Sequence, residues 1–263
     1  MTALDGRVAI VTGGGEGVGR GIALRLACAG ATVVVANRKT TTGDAVVAEI
    51  EQRWGRKAAF IRTDVTDREA VTDLVRQTHE RFGSVDILVN NAYGGGATDR
   101  LERLEDEDFD AATRINVMAA WWAMRQAFPY MKAQQWGRII NITSLNGVNA
   151  HLYTAPYNVA KEGLRTLTRT AAREWARFGI CANAICPAAI STAFQQYAEA
   201  SPDNAAAVAG ANPMGRIGDP ETDIGGVAVF LAGEDARYTT GNTIFVDGGA
   251  HINGVAWEPA VPE

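Results

Sequence analysis

The chain has 263 residues, enough for one α/β domain with a sizeable hydrophobic core. Hydrophobic residues make up 47% of it and charged residues 21%, which is typical of a folded protein and argues against disorder. The net charge of −5 and the lack of a dense Lys/Arg block argue against a nucleic-acid-binding protein. No apolar run approaches the roughly 20 residues of a membrane-spanning helix, so we expect no membrane partner.

The chain has three cysteines, Cys28, Cys181 and Cys186, which form neither a CxxC pair nor an even-numbered framework. This pattern predicts reduced thiols and no metal site. The first residues, MTALDGRVAIVTGGG, lack the pattern of an export signal. The expected location is therefore the cytoplasm.

Short β-branched runs alternate with longer helical patterns along the chain. In order, they are RVAIVTG and GRGIALRLACAG, ATVVVAN and TGDAVVAEIEQRWG, AAFIRTD and DREAVTDLVRQTHERFG, DILVNN and a long helical stretch, GRIINITS and PYNVAKEGLRTLTRTAAREWARFG, ICANAICP, and NTIFVDGG. Strands that alternate with helices need crossover connections and therefore form a parallel sheet. The pattern predicts a doubly wound Rossmann fold, with a mostly parallel sheet of about seven strands and helices on both faces.

Nothing in the sequence divides this alternation into separate units. No proline- or serine-rich linker and no solenoid-type repeat is present, so we predict a single domain over residues 1–263. Residues 191–215 interrupt the rhythm and are long for a connection, which predicts a substrate-binding loop there. From about residue 250 we expect an irregular tail.

A glycine-rich turn, TGGGEGVGRG, joins the first strand to the first helix. Glycines at this junction allow a pyrophosphate to approach the amides at the helix N-terminus. An ordinary glycine-rich turn is the alternative, which the flanking strand and helix disfavour. The residues of this turn predicted to line the cofactor site are Gly13, Gly15, Glu16, Gly17, Val18 and Gly19.

The stretch YNVAK places Tyr157 four residues before Lys161 on a predicted helix, so both side chains lie on one face. A tyrosine titrates near 10, and proton transfer near neutrality requires a pKa lower by roughly 2 to 3 units. An ammonium at about 4 Å in an effective dielectric of about 20 supplies about 4 kcal/mol. We therefore expect Lys161 to lower the pKa of Tyr157, which makes the phenol a general acid and base. A solvated surface lysine is the alternative.

These motifs together resemble the short-chain dehydrogenase/reductase family, in its single-domain branch. TGGGEGVG matches the family's T-G-x-x-x-G-x-G, Asn90-Asn91-Ala92 matches its fourth-strand motif, and Tyr157 with Lys161 matches its Y-x-x-x-K. Ser144 and Asn116 stand at the spacings of its catalytic partners. The resemblance extends from about Gly6 to Gly249.

The resemblance implies an NAD(P)-dependent oxidoreductase that interconverts a ketone or aldehyde and an alcohol by hydride transfer. It implies four catalytic residues, namely Asn116, Ser144, Tyr157 and Lys161. Ser144 would hydrogen-bond the reacting oxygen, and Asn116 would hold a water that connects Lys161 to solvent. Taken singly, Ser144 suits a turn after a strand and Asn116 suits a helix interior; taken jointly at these spacings, the catalytic interpretation is favoured.

The second strand ends at Asn37-Arg38, where relatives that prefer NAD usually carry an acidic residue. Arg38 provides a planar cation for a 2′-phosphate, so NADP(H) is favoured and NAD(H) remains possible. A surface arginine is the alternative, and Glu16 would repel phosphates. The resemblance adds these cofactor-binding residues: Asp64, Val65, Asn91, Ala92, Tyr157, Lys161, Pro187, Ile190 and Thr192.

Two further departures from the family pattern are Tyr93, in place of a glycine after Asn-Asn-Ala, and Ala188, in place of a glycine after Pro187.

The expected partners are a small neutral carbonyl or alcohol substrate and further copies of the chain, a tetramer by resemblance. Two other functions stay open from the sequence, a dinucleotide-binding sensor without turnover and a reductase of an activated C=C bond.

Overall fold

The computed structural model describes residues 3–94 and 96–252. Its strands are β1 (Val8–Thr12), β2 (Thr32–Asn37), β3 (Ala58–Arg62), β4 (Ile87–Asn90), β5 (Gly137–Ile142), β6 (Ile180–Pro187) and β7 (Thr243–Val246). They form one sheet in the order β3-β2-β1-β4-β5-β6-β7, and every pair is parallel. The predicted parallel sheet of about seven strands is confirmed.

The helices connect successive strands. They are α1 (Gly17–Cys28), α2 (Thr40–Trp54), α3 (Arg68–Phe82), α4 (Asp106–Thr113), α5 (Ala119–Ala133), α6 (Leu145–Val148), α7 (Ala155–Trp175), α8 (Thr192–Ala200), α9 (Pro202–Gly210) and α10 (Gly225–Ala232). Left-handed glycines, Gly55 and Gly83, end α2 and α3, where an L side chain would be strained. None of the helices in the described residues is both long and apolar enough to cross a membrane.

The core lies on both faces of the sheet, because successive strand residues point to opposite sides. In β1, Ala9 and Val11 pack with α1 and α10, whereas Ile10 packs with α3, α5 and α7 on the other face. Strands β1, β4 and β5 are buried along their whole length, as expected of parallel strands that helices cover on both faces. The carboxyl ends of these central strands meet at one edge of the sheet.

Residues 191–215 differ from the expected loop, since most of them form α8 and α9. The Ser191 hydroxyl accepts a hydrogen bond from the Phe194 amide and so caps α8, and Pro202 occupies the first turn of α9. The alanine-rich run that follows is compatible with a helix. Of the irregular tail predicted from about residue 250, Ala250–Ile252 form a 3₁₀ turn, and residues 253–263 lie outside the described residues.

Candidate active site

A cavity of about 780 Å³ opens at the carboxyl ends of the central strands. Ligands of open parallel sheets bind in the crevice at this edge. Fifteen of the residues predicted for the site line it: Gly13, Glu16, Gly17, Val18, Asn37, Arg38, Asp64, Val65, Asn91, Ala92, Ser144, Tyr157, Lys161, Pro187 and Thr192. The cavity size and this wall fit an extended dinucleotide.

The glycine-rich turn comes so close to its neighbours that side chains there would not fit. A Cβ on Gly13 would lie 2.8 Å from Asn91 Nδ2, and a Cβ on Gly17 would lie 3.1 Å from the Thr192 amide nitrogen. Gly13 and Gly17 also have positive φ angles of 64° and 51°. The Glu16 side chain makes no capping hydrogen bond to α1, and Gly17 and Val18 of the first turn line the cavity, so this helix N-terminus suits a phosphate.

Four predicted residues do not line the cavity, namely Asn116, which is described below, and Gly15, Gly19 and Ile190. A Cβ on Gly15 would lie 2.4 Å from Asn37 Nδ2, and a Cβ on Gly19 would lie 2.2 Å from the Gly13 carbonyl oxygen. These two glycines therefore allow the turn to pack. The Ile190 amide donates to the Gly218 carbonyl at 2.9 Å, so this amide is engaged within the protein.

One end of the cavity is formed by the loop after β2. Asn37 Nδ2 donates to Thr42 Oγ1 at 2.6 Å, which fixes the turn into α2. Arg38 lines the cavity, and Lys39 Nζ lies 3.3 Å from Glu16 Oε1. Lys39 therefore offsets part of the Glu16 charge, and the repulsion that Glu16 would exert on phosphates stays a prediction. This pair is largely exposed, so its attraction is weak.

The next part of the wall is fixed by polar contacts. Asp64 accepts hydrogen bonds from the Thr66 amide and hydroxyl. The hydrogen bond from the amide is the main reason why the pKa of Asp64 is lowered. The charge of Arg38 contributes to this lowering. Asn91 Nδ2 donates to the Thr12 carbonyl at 3.0 Å, which holds the end of β4 against the end of β1.

Ser144, Tyr157 and Lys161 meet at the inner end of the cavity. Ser144 follows β5 and caps α6, where its Oγ accepts from the Asn146 amide at 3.2 Å. Tyr157 and Lys161 lie one turn apart on α7, as the sequence predicts. Lys161 Nζ lies 5.5 Å from the centre of the Tyr157 ring and donates to the Ile142 carbonyl at 2.9 Å.

Burial dominates the titration of this pair. It raises the pKa of Tyr157 to about 12, although the hydrogen bond with Ser144 lowers that pKa in part. Burial also lowers the pKa of Lys161 to about 8. The expected lowering of the tyrosine pKa is therefore wrong, because the desolvation of a buried phenolate outweighs the hydrogen bond with Ser144.

Asn116 lies beside the main cavity, in a π-helical turn (Arg114–Met118) between α4 and α5. Its Nδ2 donates to the carbonyls of Gly94 at 3.0 Å and Ala112 at 2.8 Å. Its Oδ1 is buried and has no hydrogen-bond partner among residues 3–94 and 96–252. A buried acceptor of this kind suits a water, as expected for Asn116, and π-helical turns are frequent at functional sites.

Sequence reasoning missed several residues of the wall. Lys39 and Asn146 line the cavity, as does Tyr93, which was noted only as a departure from the family pattern. Position offered a signal for two of them, since Lys39 follows Arg38 and Asn146 follows Ser144 by two residues. No group of three potential metal ligands occurs among residues 3–94 and 96–252.

Comparisons with known proteins agree with this geometry. A family model described as Enoyl-(Acyl carrier protein) reductase matches residues 13–251. A 12alpha-hydroxysteroid dehydrogenase from Clostridium sp. is 36% identical over 259 residues, which cover 95% of this chain and 98% of that protein. Relatives of this kind act on alcohols and ketones, so the reduction of a C=C bond named by the family model is not the favoured activity.

Two solved structures share the fold. Levodione reductase has a TM-score of 0.90 and 30% identity, covering 95% of this chain and 100% of that one. A 3-oxoacyl (acyl-carrier-protein) reductase from Agrobacterium tumefaciens C58 with NADP bound has a TM-score of 0.87 and 31% identity, covering 94% of this chain and 95% of that one.

Proposed function

Since this chain belongs to the short-chain dehydrogenase/reductase family and is an NAD(P)-dependent oxidoreductase that interconverts alcohols and carbonyl compounds, we propose that Tyr157 is its general acid and base and that NADP(H) is its preferred cofactor. One observation carries the first part: Ser144, Tyr157 and Lys161 converge at the inner end of the dinucleotide-sized cavity.

A bound nicotinamide dinucleotide supplies the hydride for carbonyl reduction and accepts it in alcohol oxidation. Tyr157 donates its proton to the carbonyl oxygen during reduction and removes the hydroxyl proton during oxidation. Its raised pKa keeps the phenol protonated at neutral pH, which suits the acid role. Ser144 positions the same oxygen by a hydrogen bond.

Lys161 stabilises the phenolate that remains after Tyr157 has given up its proton. Its Nζ lies 5.5 Å from the centre of the Tyr157 ring, so its positive charge favours the phenolate. The buried Oδ1 of Asn116 supports its role in holding a water for proton exchange with Lys161.

The preference for NADP(H) is supported by the charges at the β2 end of the cavity. Arg38 and Lys39 both line this end, and the Glu16 carboxylate is paired with Lys39. A 2′-phosphate would meet two cations there and a carboxylate already partly neutralised. Preference for NAD(H) is the alternative outcome.

The substrate is proposed to be a small neutral carbonyl compound or alcohol. Four charged side chains of the cavity, Glu16, Arg38, Lys39 and Asp64, belong to its β2 and β3 end. Lys161 is the charged residue at the inner end, and it is buried and bonded to a backbone carbonyl. A charged substrate would therefore lack a matching counter-charge there.

We also propose a homotetramer in the cytoplasm and a substrate-binding role for α8 and α9 within a single domain. Helix α10 (GGVAVFLA) has no polar side chain, although Phe230 on it is 43% exposed, which supports burial against another copy. Cys28, Cys181 and Cys186 are free thiols, as expected in a reducing compartment. Thr192 at the start of α8 lines the cavity and supports the role of this helix.

The decisive experiment compares Tyr157→Phe with the wild-type protein. Fluorescence titrations with NADPH and NADH measure cofactor binding, and a panel of neutral ketones and alcohols measures turnover. We expect NADPH to bind more tightly, and Tyr157→Phe to lose at least about 100-fold in turnover with unchanged cofactor binding. Cofactor binding without turnover in the wild-type protein would instead indicate a sensor, and unchanged turnover in the variant would refute the role of Tyr157.

A further inference from the structure

Asn146 lines the cavity from the first turn of α6, two residues after Ser144. Its backbone nitrogen donates to Ser144 Oγ at 3.2 Å, and its carbonyl oxygen accepts from the His151 amide at 2.9 Å. Helix α6 also lies directly on α7, because a Cβ on Gly147 would be only 3.0 Å from the Asn158 carbonyl oxygen. The backbone of Asn146 is therefore fixed beside Ser144 and against the helix that carries the predicted acid and base.

The side-chain amide of Asn146 lies near the Ser144 hydroxyl by covalent geometry alone. It is joined to its own backbone nitrogen through Cα, Cβ and Cγ, so at most about 5 Å separates the two. Because this nitrogen is 3.2 Å from Ser144 Oγ, the amide lies within about 8 Å of the hydroxyl. A distance of this size spans a few carbon atoms, so a substrate whose reacting oxygen binds Ser144 has other atoms in reach of the amide.

The protein itself does not use this amide. Three asparagines line the cavity among the described residues, namely Asn37, Asn91 and Asn146. Asn37 Nδ2 donates to Thr42 Oγ1 at 2.6 Å, and Asn91 Nδ2 donates to the Thr12 carbonyl at 3.0 Å. The Asn146 side chain makes no hydrogen bond within the part of the chain that the structure describes. Since both of its backbone groups are engaged, the amide is the polar group of Asn146 that is left for a ligand.

The chemistry of the amide indicates what it binds. A substrate that fills this end of the cavity covers the amide, and a polar group covered without a hydrogen bond costs free energy. The site therefore favours a substrate that supplies the missing partner. A carboxamide is uncharged and both donates and accepts, which matches a neutral hydroxyl oxygen.

From this placement we propose that Asn146 determines substrate specificity by hydrogen-bonding a second neutral oxygen of the substrate, a few carbon atoms from the reacting carbonyl. The substrate class is then the ketones that carry a hydroxyl at this separation and, in the oxidative direction, the corresponding diols. This inference rests on the proposed function and deepens it. It concerns the second oxygen only, and the hydride and proton transfers are unchanged.

The test pairs two hydroxy ketones with their plain counterparts, namely 4-hydroxycyclohexanone with cyclohexanone and 4-hydroxy-2-butanone with 2-butanone. Values of kcat/KM with NADPH are measured for the wild-type protein and for Asn146→Leu, which has a similar size and no polar side-chain atom. We expect the wild-type protein to favour the hydroxy ketones, and the variant to lower that preference by about threefold to tenfold, the effect of one hydrogen bond. A change that merely disturbs the loop slows both ketones of a pair and leaves their ratio unchanged.

Asn149→Leu is the matched control, because Asn149 follows the same short helix, is exposed and does not line the cavity. It should keep the wild-type preference. Titration with NADPH is the second readout, and Asn146→Leu should bind NADPH within about twofold of wild type.

The inference alone is overturned if the wild-type protein reduces the ketones without favouring the hydroxy ketones, or if the preference survives in Asn146→Leu. It is also overturned if Asn149→Leu loses the preference equally, or if Asn146→Leu chiefly weakens NADPH binding. If NADPH binds to the wild-type protein but none of the four ketones is reduced, the proposed function fails and this inference fails with it.

Discussion

Single residues at the inner end of the cavity have their chemistry set by burial. Lys161 is fully enclosed, and the cost of burying its charge lowers its pKa from 10.5 to about 8. Below this pH both the folded and the unfolded chain carry the charge. As the pH rises through 8, the folded chain loses the proton first, because the unfolded chain holds it up to about 10.5. Stability therefore rises with pH between these two values.

The first prediction is that stability and activity change in opposite directions as the pH rises. From pH 7 to pH 9 the wild-type protein should gain about 1 kcal/mol of unfolding free energy relative to Lys161→Met. Over the same range the rate of carbonyl reduction by the wild-type protein should fall, because Lys161 loses the charge that stabilises the Tyr157 phenolate. Urea unfolding and initial rates at both pH values measure the two effects.

In the comparison with Lys161→Met, the effects on stability of titrating groups that both proteins share cancel. Burial raises the pKa of Cys181 and of Cys186, so these thiols lower stability as the pH rises, but they do so in both proteins. An equal pH dependence of stability in the two proteins would contradict the prediction.

The second prediction separates the catalytic and structural roles of Asn116. Asn116→Ala removes two hydrogen bonds and should cost about 1 to 3 kcal/mol of stability. It should also lower kcat more than it raises KM, because the buried Oδ1 no longer holds a water for proton exchange. Urea unfolding and steady-state kinetics provide the measurements.

Asn183→Ala is the control for this prediction. Asn183 is equally buried, its side chain makes two hydrogen bonds, and it does not line the cavity. It should lose similar stability and keep its kcat. Equal kcat values in the two folded variants would mean that Asn116 is only structural.

At the level of elements, a buried chain of hydrogen bonds connects the strands to the helix that carries Tyr157. Asn90 of β4 donates to Asn141 of β5 at 2.8 Å, and Asn141 donates to Thr168 of α7 at 2.8 Å. Thr168 in turn donates to the Leu164 carbonyl within α7. Because such groups are costly to leave unpaired, this hydrogen-bond network favours one register of α7 against the sheet.

The third prediction follows from this hydrogen-bond network. Thr168→Val keeps the shape of the side chain but leaves Asn141 Nδ2 without its strongest partner, so it should cost about 1 to 3 kcal/mol. Thr170→Val, two residues further on the exposed face of the same helix, should change stability by less than about 0.5 kcal/mol. The urea unfolding midpoints of the two variants test this prediction. A similar loss of stability in both variants would argue against a special role for the hydrogen-bond network.

For the whole molecule, the apolar helix α10, which carries the exposed Phe230, is the surface that we propose for subunit contact. The fourth prediction is that Phe230→Asp converts the proposed tetramer to smaller species, because a charge would be buried without a partner. Analytical ultracentrifugation measures the change. Leu101→Asp, at a position that is 69% exposed, should leave the assembly intact. A tetramer that survives Phe230→Asp would place the interface elsewhere.

The fold class followed from periodicity, a local property of the chain. Runs such as RVAIVTG before a glycine-rich turn and an amphipathic helix leave few arrangements, because parallel strands need crossovers. The same reasoning failed for residues 191–215, where caps and alanine propensity favour α8 and α9 over a loop. Helix propensity is by itself a weak signal that is easily passed over.

The sequence by itself determined which chemical groups the site has and roughly where they lie, since the ends of parallel strands meet at one edge. Only the tertiary structure decided which groups touch, such as Lys39 with Glu16, and how strongly each is buried. Burial reversed the expected direction of the Tyr157 pKa. The physical reason is that desolvation depends on every element packed around a group, and no local pattern of residues contains that information.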